Sequence, residues 1–157
     1  VLPSGKKSEV IEIRKFKTIL QQAQEGDSIQ IRLNEDIDIS RGMMLIKEQK
    51  ESLFEKELNA TIVWLDEKLM NQNAKYHIQT GARVQVCKVQ EIINLIKPEN
   101  PLEKEKATEI KLNDIAKVKI KLASPMYLDK FSENKKNGAF ILIDQQTNNT
   151  VAVGFVE

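Results

Sequence analysis

Two side chains that could act as a nucleophile, a base or a metal ligand occur only once each in this sequence. His77 is the single histidine, and Cys87 is the single cysteine. A closed tetrahedral zinc site needs four ligands, so these two residues would require carboxylate partners. No motif orients them toward each other as a catalytic pair. The sequence therefore predicts neither a metal site nor a catalytic nucleophile.

The sequence also shows no motif for a phosphate-binding loop or for a pair of catalytic carboxylates. The sequence contains neither of the glycine-rich loops that cradle phosphates, and residues 4–7 (Ser-Gly-Lys-Lys) have the wrong glycine spacing for one. The acidic pairs Asp36/Asp38 and Asp66/Glu67 are typical of turns and loops, not of a general acid and base held across a cleft. We expect no catalytic residue and no cofactor-binding residue in this chain.

A row of lysines is the one surface feature whose spacing suggests a role. Apolar Val118, Ile120 and Leu122 alternate with Lys117, Lys119 and Lys121. Period-two alternation predicts a strand with one buried face and one lysine face. The lysine face is interpreted either as the solvated side of a strand, or a guard on an exposed edge, or as a contact with a partner or a phosphate.

Composition limits the remaining function classes. The chain has 157 residues, 41% of them hydrophobic, and a formal net charge of +1. A charge near zero gives no global field that would favour nucleic acid or an anionic membrane. No apolar run approaches the roughly 18 residues of a membrane span, and nothing resembles a signal peptide. A single cysteine suits a reducing cytoplasm. Because the sequence opens at Val1 on a turn, we expect it to be part of a longer protein.

Residues 1–48 predict short strands joined by tight turns. The run from Ile29 to Leu33 alternates apolar with polar side chains, which is the pattern of a half-buried strand. Residues 15–25, which precede this strand, could alternatively contain a helix, although Gly26 would cut such a helix short. So few strands cannot bury both faces of a sheet. Residues 49–56 are charged and predict a linker.

Residues 57–157 predict a second all-β unit. Ala60, Ile62 and Trp64 share one face of its first strand, as expected for core residues. A change of phase between Val86 and Cys87 predicts a β-bulge. Residues 97–109 predict a solvated loop or a short surface helix, and the dipeptide at residues 124–125 (Ser-Pro) predicts the end of the lysine-bearing strand.

The last 21 residues, 137–157, carry the most specific pattern. An apolar run, Phe140 to Asp144, is followed by turn residues and by a second alternating run from Val151, which predicts a β-hairpin. The sequence of these residues resembles the C-terminus of the large, GTPase subunit of bacterial sulfate adenylyltransferase, a relative of elongation factor Tu. The matching positions are Gly138, Phe140 to Asp144, Thr147, Asn148, Thr150, Val151 and Gly154.

The resemblance extends over nearly the whole chain. Further matching segments are residues 4–6, 38–42, 60–66, 76–86, 112–118 and 125–134. The sequence departs from the family's sequence pattern at residues 80–84, at Ala116 and at residues 151–154. The resemblance implies two elongation-factor-Tu-like β-barrels, the first incomplete at its N-terminus. Residues 1–48 would be the later strands of the second domain, residues 49–56 a linker and residues 57–157 the third domain.

The family couples GTP hydrolysis to the formation of adenosine 5′-phosphosulfate from ATP and sulfate. By this resemblance, GTP and magnesium bind in a GTPase domain that lies outside this sequence, and a separate small subunit transfers the adenylate. The partners implied are that small subunit and the GTPase domain, and Lys117, Lys119 and Lys121 are the candidate contact residues. The expectation is a cytoplasmic protein that binds neither membrane nor nucleic acid.

Two alternatives stay open at this point. A translation-factor-like barrel pair could bind RNA or a ribosomal partner, although the near-zero net charge and the few aromatic residues argue against RNA. A stand-alone β-barrel binding module is the other alternative. The sequence leaves open the partner surface, the oligomeric state and a fusion to an adenylylsulfate kinase.

Overall fold

The computed structural model describes residues 1–48, 54–105 and 107–157. The chain divides into two compact units, residues 1–50 and 51–157. The only α-helix among the described residues is the single turn α1 (Lys135–Gly138), and none of their helices is long and apolar enough to cross a membrane. The strands are β1 (Val10–Lys15), β2 (Thr18–Leu20), β3 (Gln30–Leu33), β4 (Phe54–Trp64), β5 (Tyr76–Thr80), β6 (Arg83–Lys97), β7 (Asn100–Glu105), β8 (Ile115–Tyr127), β9 (Ala139–Asp144) and β10 (Thr150–Val156).

The first unit is a three-stranded antiparallel sheet in the order β2-β1-β3. Residues 15–25 contain the β1–β2 turn and β2, so the helical alternative for this stretch is wrong. Phe16 makes the turn with a φ of 53°. No residue of 1–48 is buried, and apolar side chains such as Ile11 and Ile19 stay about half exposed. A sheet this small has no second layer to cover it, which agrees with the prediction of an incomplete barrel.

The second unit is a closed antiparallel barrel of six strands. Its strands follow the order β5-β9-β10-β4-β8-β6, and pairing between β6 and β5 closes the ring. Closure satisfies the backbone groups that an open sheet would leave at its edges. The prediction of an all-β chain with a closed C-terminal barrel is confirmed.

Alternating side chains from all six strands fill the barrel. Ala60, Ile62 and Trp64 on β4 are at most 2% exposed, as the alternation predicted. The inward residues of β8 meet them across the β4–β8 pairing, where Ala60 lies opposite Val118. The buried cluster also includes Ile78, Cys87, Val89, Ile110, Phe140, Leu142 and Val151.

The terminal hairpin forms as predicted, and its glycines have a packing role. β9 and β10 pair antiparallel, and Asn148 takes the positive φ of 58° in the connecting turn. Gly154 lies directly beneath the ring of Phe140, which occupies the space that a Cβ would need. Gly138 lies against the backbone of Phe131 in the same way. Close approach, not φ, requires glycine at these two positions.

The phase of β6 differs from the prediction. Val84 is 52% exposed and lies on the outer face, while Cys87 and Val89 are buried, so no bulge separates Val86 from Cys87. The register between β6 and β8 shifts later, within residues 89–91 and 92–94. Val84 and Val86 are apolar and yet face outward. Hydrophobicity alone therefore assigned them to the inner face, which made the predicted phase wrong.

Two other predicted breaks are strand in the structure. Residues 100–105 form β7, which pairs with β6, where the sequence predicted a loop or a helix. β8 continues through Ser124 and Pro125 to Tyr127. Of the predicted linker 49–56, residues 49–53 lie outside the described residues, and residues 54–56 belong to β4.

Candidate partner interface

The lysine row lies on the outer wall of the barrel, in the middle of the sheet. β8 pairs with β4 on one side and with β6 on the other, so it is not an edge strand. The edge-guarding interpretation of the lysines is therefore excluded. Val118 and Ile120 are fully buried, and Lys117, Lys119 and Lys121 face outward as predicted.

Two of the three lysines have carboxylate partners, one on the flanking strand β4 and one at the C-terminal end of the chain, just after β10. Lys117 Nζ lies 2.7 Å from Glu157 Oε1, and Lys119 Nζ lies 2.9 Å from Glu57 Oε2. The hydrogen bond to Glu57 raises the pKa of Lys119, and the same bond lowers the pKa of Glu57. Burial raises the pKa of Glu157, but the hydrogen bonds from Lys117 and Thr61 outweigh it and leave that pKa lowered.

Lys121 differs from its two neighbours. It is exposed and forms no ion pair with any part of the chain that the structure describes. In the β6–β8 register it lies directly opposite another lysine, Lys88. Among the described residues, the predicted row therefore consists of two lysines in ion pairs and one lysine without an ion pair.

A cleft of about 300 Å³ opens beside the paired lysines, at the end of the barrel where β4 begins. Its charged lining includes Glu55, Glu57, Lys119, Lys130 and Glu157, and its apolar lining includes Leu58, Met126, Leu128 and Val156. Apolar surface surrounded by charges of both signs is the usual composition of a protein–protein contact. The row and this cleft together form the candidate interface.

A polar network holds the connection between β8 and β9 next to this cleft. Asp129 accepts hydrogen bonds from the Tyr127 hydroxyl at 2.7 Å, from Asn134 Nδ2 at 2.8 Å and from Asn137 Nδ2 at 3.1 Å. Arg83 donates to the Tyr127 carbonyl at 2.6 Å and to Asn137 Oδ1. The resemblance included Asp129 and Asn134, but nothing in the local sequence joined them to Arg83.

The network predicts a loss of stability in alkali. Burial and the hydrogen bond to Asp129 raise the pKa of Tyr127 from 10.0 to about 12. The folded state therefore holds this proton more tightly than the unfolded state, and the stabilisation is complete below pH 10 and lost as pH rises toward 12. We expect the unfolding free energy to fall over that range, and the Tyr127→Phe variant to show a shallower fall. Urea denaturation followed by the fluorescence of Trp64, the single tryptophan, measures both. Equal slopes for the two proteins would contradict this assignment.

His77 and Cys87 do not form a pair. Tyr76 lies opposite Cys87 in the β5–β6 register, so His77, the next residue, points to the other face of the sheet. Cys87 is 2% exposed, and burial raises the pKa of its thiol to about 12. Within the described ranges, no group of three or more His, Cys, Asp or Glu residues is placed to hold a metal ion.

Comparison with known proteins relates the whole chain to one kind of enzyme subunit. Proteins named sulfate adenylyltransferase subunit 1 from Psychromonas ingrahamii and Tolumonas auensis are each 36% identical to it, over 155 and 156 residues, and one from Aliarcobacter butzleri is 35% identical over 156 residues. Each alignment covers 99% of this chain and 33% of the relative. The chain thus spans about one third of the length of these curated relatives, and the resemblance drawn from the sequence is confirmed.

Solved structures and a family model agree with this. Two structures of Sup35, one complexed with GDP and one with GMPPNP, match with a TM-score of 0.83 at 20% and 19% identity, covering 99% of this chain and 38% of theirs. At that identity the likeness shows the fold alone. Residues 57–157 match the family model described as GTP-eEF1A C-terminal domain-like. Because these residues make up most of the sequence, the chain belongs to the GTP-eEF1A C-terminal domain-like family.

Proposed function

We propose that this chain is the C-terminal part of a sulfate adenylyltransferase GTPase subunit. The parent protein would couple GTP hydrolysis to the formation of adenosine 5′-phosphosulfate from ATP and sulfate. The observation that carries the proposal is 36% identity to subunit 1 of this enzyme across 99% of the chain. The alignment with this relative runs through both units in the same order. It therefore supports the proposed parent protein more strongly than a shared fold alone would.

Within that parent, the two β units would position and connect other parts without doing chemistry. GTP and magnesium would bind in the GTPase domain, and adenylate transfer would take place on a separate small subunit, both in the cytoplasm. The candidate contact with the small subunit is Lys117, Lys119 and Lys121. A row on a rigid central strand suits this role because its side chains keep a fixed spacing. Lys117 and Lys119 would meet the partner as ion pairs with Glu157 and Glu57, and Lys121 as a lysine that has no ion pair with a described residue.

The 157-residue chain alone is expected not to bind GTP. Residues 3–4 form a turn that Gly5 follows with a φ of 71°, and residues 4–7 lack the glycine spacing of a phosphate loop. Calorimetric titration of the chain with GTP and magnesium should give no heat beyond dilution. Micromolar binding would mean that the chain holds a nucleotide site of its own.

The proposal is tested on the full-length parent mixed with its adenylyl-transferring subunit. Formation of adenosine 5′-phosphosulfate from ATP and sulfate should rise when GTP is added and should stay low with a non-hydrolysable GTP analogue. Binding of labelled RNA by the parent is measured alongside. Tight RNA binding without GTP-dependent adenylate transfer would favour a translation-factor-like protein and reject the proposal.

A further inference from the structure

Four lysine side chains surround a second cleft on the outer wall of the barrel. The cleft has a volume of about 310 Å³, and its lining consists of Lys56, Lys75, Lys88, Lys121, Val86, Cys87, Leu122 and Ala123. All four lysines are exposed. No acidic residue of the described chain lines this cleft, which we call the lysine cleft.

The barrel topology, not the local sequence, creates this cluster. Lys88 on β6 and Lys121 on β8 are direct register partners. Lys56 occupies the register shift near the start of β4, where β4 pairs with β8. Lys75 immediately precedes β5, which pairs with β6. Three neighbouring strands and one loop thus bring cations from distant parts of the sequence to one place.

The described chain compensates this concentration of charge only weakly: the charge of Lys121 contributes to lowering the pKa of Glu57, but the two side chains form no ion pair. Like charges directly opposite each other on a sheet destabilise it, as for Lys88 and Lys121. None of the four lysines forms an ion pair with a described residue, whereas Lys117 and Lys119 on the same strand each have a carboxylate. A ligand that supplies negative charge would remove this repulsion.

We propose that the lysine cleft is the docking site for an acidic, partly apolar segment of a partner protein. Charge complementarity indicates that the partner segment carries carboxylates, because four exposed ammonium groups need several anions spaced along a chain. The apolar part follows from Val86 and Ala123, which line the cleft with the lysines on the outer face and would contact methyl or methylene groups. The inference names a partner chemistry that the proposed function leaves open, and it holds or fails independently of sulfate activation.

The surroundings of the cleft favour a polypeptide over a nucleic acid. No aromatic side chain among the described residues lines the cleft, so unpaired bases would find no stacking surface on them. Glu55 and Glu57 flank Lys56 in the sequence of β4, and Glu91 pairs in register with Lys119 further along β8. A phosphate backbone continuing out of the cleft along these strands would meet carboxylates. A short acidic segment needs only the cleft itself.

The test uses the 157-residue chain and a short fluorescein-labelled peptide of glutamate and leucine, followed by fluorescence anisotropy. The cleft variant carries Lys56→Gln, Lys88→Gln and Lys121→Gln. The control variant carries Lys68→Gln, Lys111→Gln and Lys135→Gln, three exposed lysines outside the cleft, and therefore has the same net charge. Because each exposed ion pair contributes a factor of roughly two to five, we expect the cleft variant to bind at least about tenfold more weakly. The control should change by less than about twofold at physiological salt, where distant charges are screened.

Two further measurements separate this inference from its alternatives. The same peptide with glutamine in place of glutamate should not bind, and single-stranded RNA should bind no more tightly to the wild type than to the cleft variant. The unfolding midpoint followed by Trp64 fluorescence should be unchanged or higher in the cleft variant, because repulsion is removed. The inference is overturned if the wild type does not bind the acidic peptide, if both triple variants lose binding equally, or if RNA is the ligand that the cleft variant loses. A cleft variant that unfolds is replaced by Lys121→Gln, which must then weaken binding at least about twofold.

Discussion

Replacing Gly138 with alanine is expected to destabilise the barrel by about 3 kcal/mol or more. A Cβ at this position would lie 2.5 Å from Phe131 Cα, 2.6 Å from Phe131 N and 2.9 Å from the Asp129 carbonyl oxygen. All three are backbone atoms, so no side chain can rotate away to make room. The connection that carries Phe131 and Asp129 must move, and the polar network around Asp129 moves with it.

Urea denaturation followed by Trp64 fluorescence measures this effect in the barrel alone, because Trp64 is buried there and is the single tryptophan. The matched control is Gly81→Asn. Gly81 has a φ of 54° and nothing near its Cβ position, and asparagine tolerates this backbone region. The control should lose only about 1 kcal/mol, the low end of the cost of a non-glycine residue in this region. A Gly138→Ala variant as stable as Gly81→Asn would show that the close approach to Phe131 does not constrain the fold.

Truncation of Asp129 is expected to be comparably severe. The Asp129→Ala variant removes the acceptor of three hydrogen bonds, and two of the donors belong to the buried residues Tyr127 and Asn137. It also removes the carboxylate that favours the charged form of Arg83, whose pKa burial lowers. An unsatisfied buried polar group costs about 1 to 3 kcal/mol, so we expect a loss of about 3 kcal/mol.

Two further variants identify the origin of that loss. Asp129→Asn keeps one strong acceptor and should cost about 1 kcal/mol. The difference in unfolding free energy between this variant and the wild type reports the contribution of the charge. Glu133→Ala removes an exposed carboxylate from the same connection and should change the unfolding free energy by less than about 0.5 kcal/mol. If Asp129→Ala and Glu133→Ala were equally mild, the network would not stabilise the connection between β8 and β9.

The parts of the fold that the sequence predicted are those in which neighbouring residues carry the whole signal. The hairpin of β9 and β10 has an apolar run, a turn that accepts the positive φ of Asn148 and a second apolar run. β8 alternates lysine with buried residues such as Val118 without interruption. In β6, by contrast, Val84 is apolar and yet 52% exposed, so composition alone could not assign the inner face.

The features that escaped prediction depend on register between distant segments. Lys117 meets Glu157, and Lys88 lies opposite Lys121, only because particular strands pair at particular residues. A shift of one residue would turn these side chains to the other face, and no local pattern in a lysine-rich strand records its partner. The sequence therefore identified the lysine row, whereas the topology was needed to tell which of its lysines form ion pairs with described residues.

The contact proposed above lies between β8 of the barrel and the adenylyl-transferring subunit. It is tested most directly by measuring association of that subunit with the full-length parent carrying Lys117→Glu, Lys119→Glu and Lys121→Glu. A parent with Lys68→Glu, Lys111→Glu and Lys135→Glu has the same net charge and serves as the control. We expect the β8 variant to associate at least about tenfold more weakly than the control, with a larger difference at low salt than at high salt. Unchanged association together with unchanged GTP-dependent adenylate transfer would show that the row is only the solvated wall of the barrel.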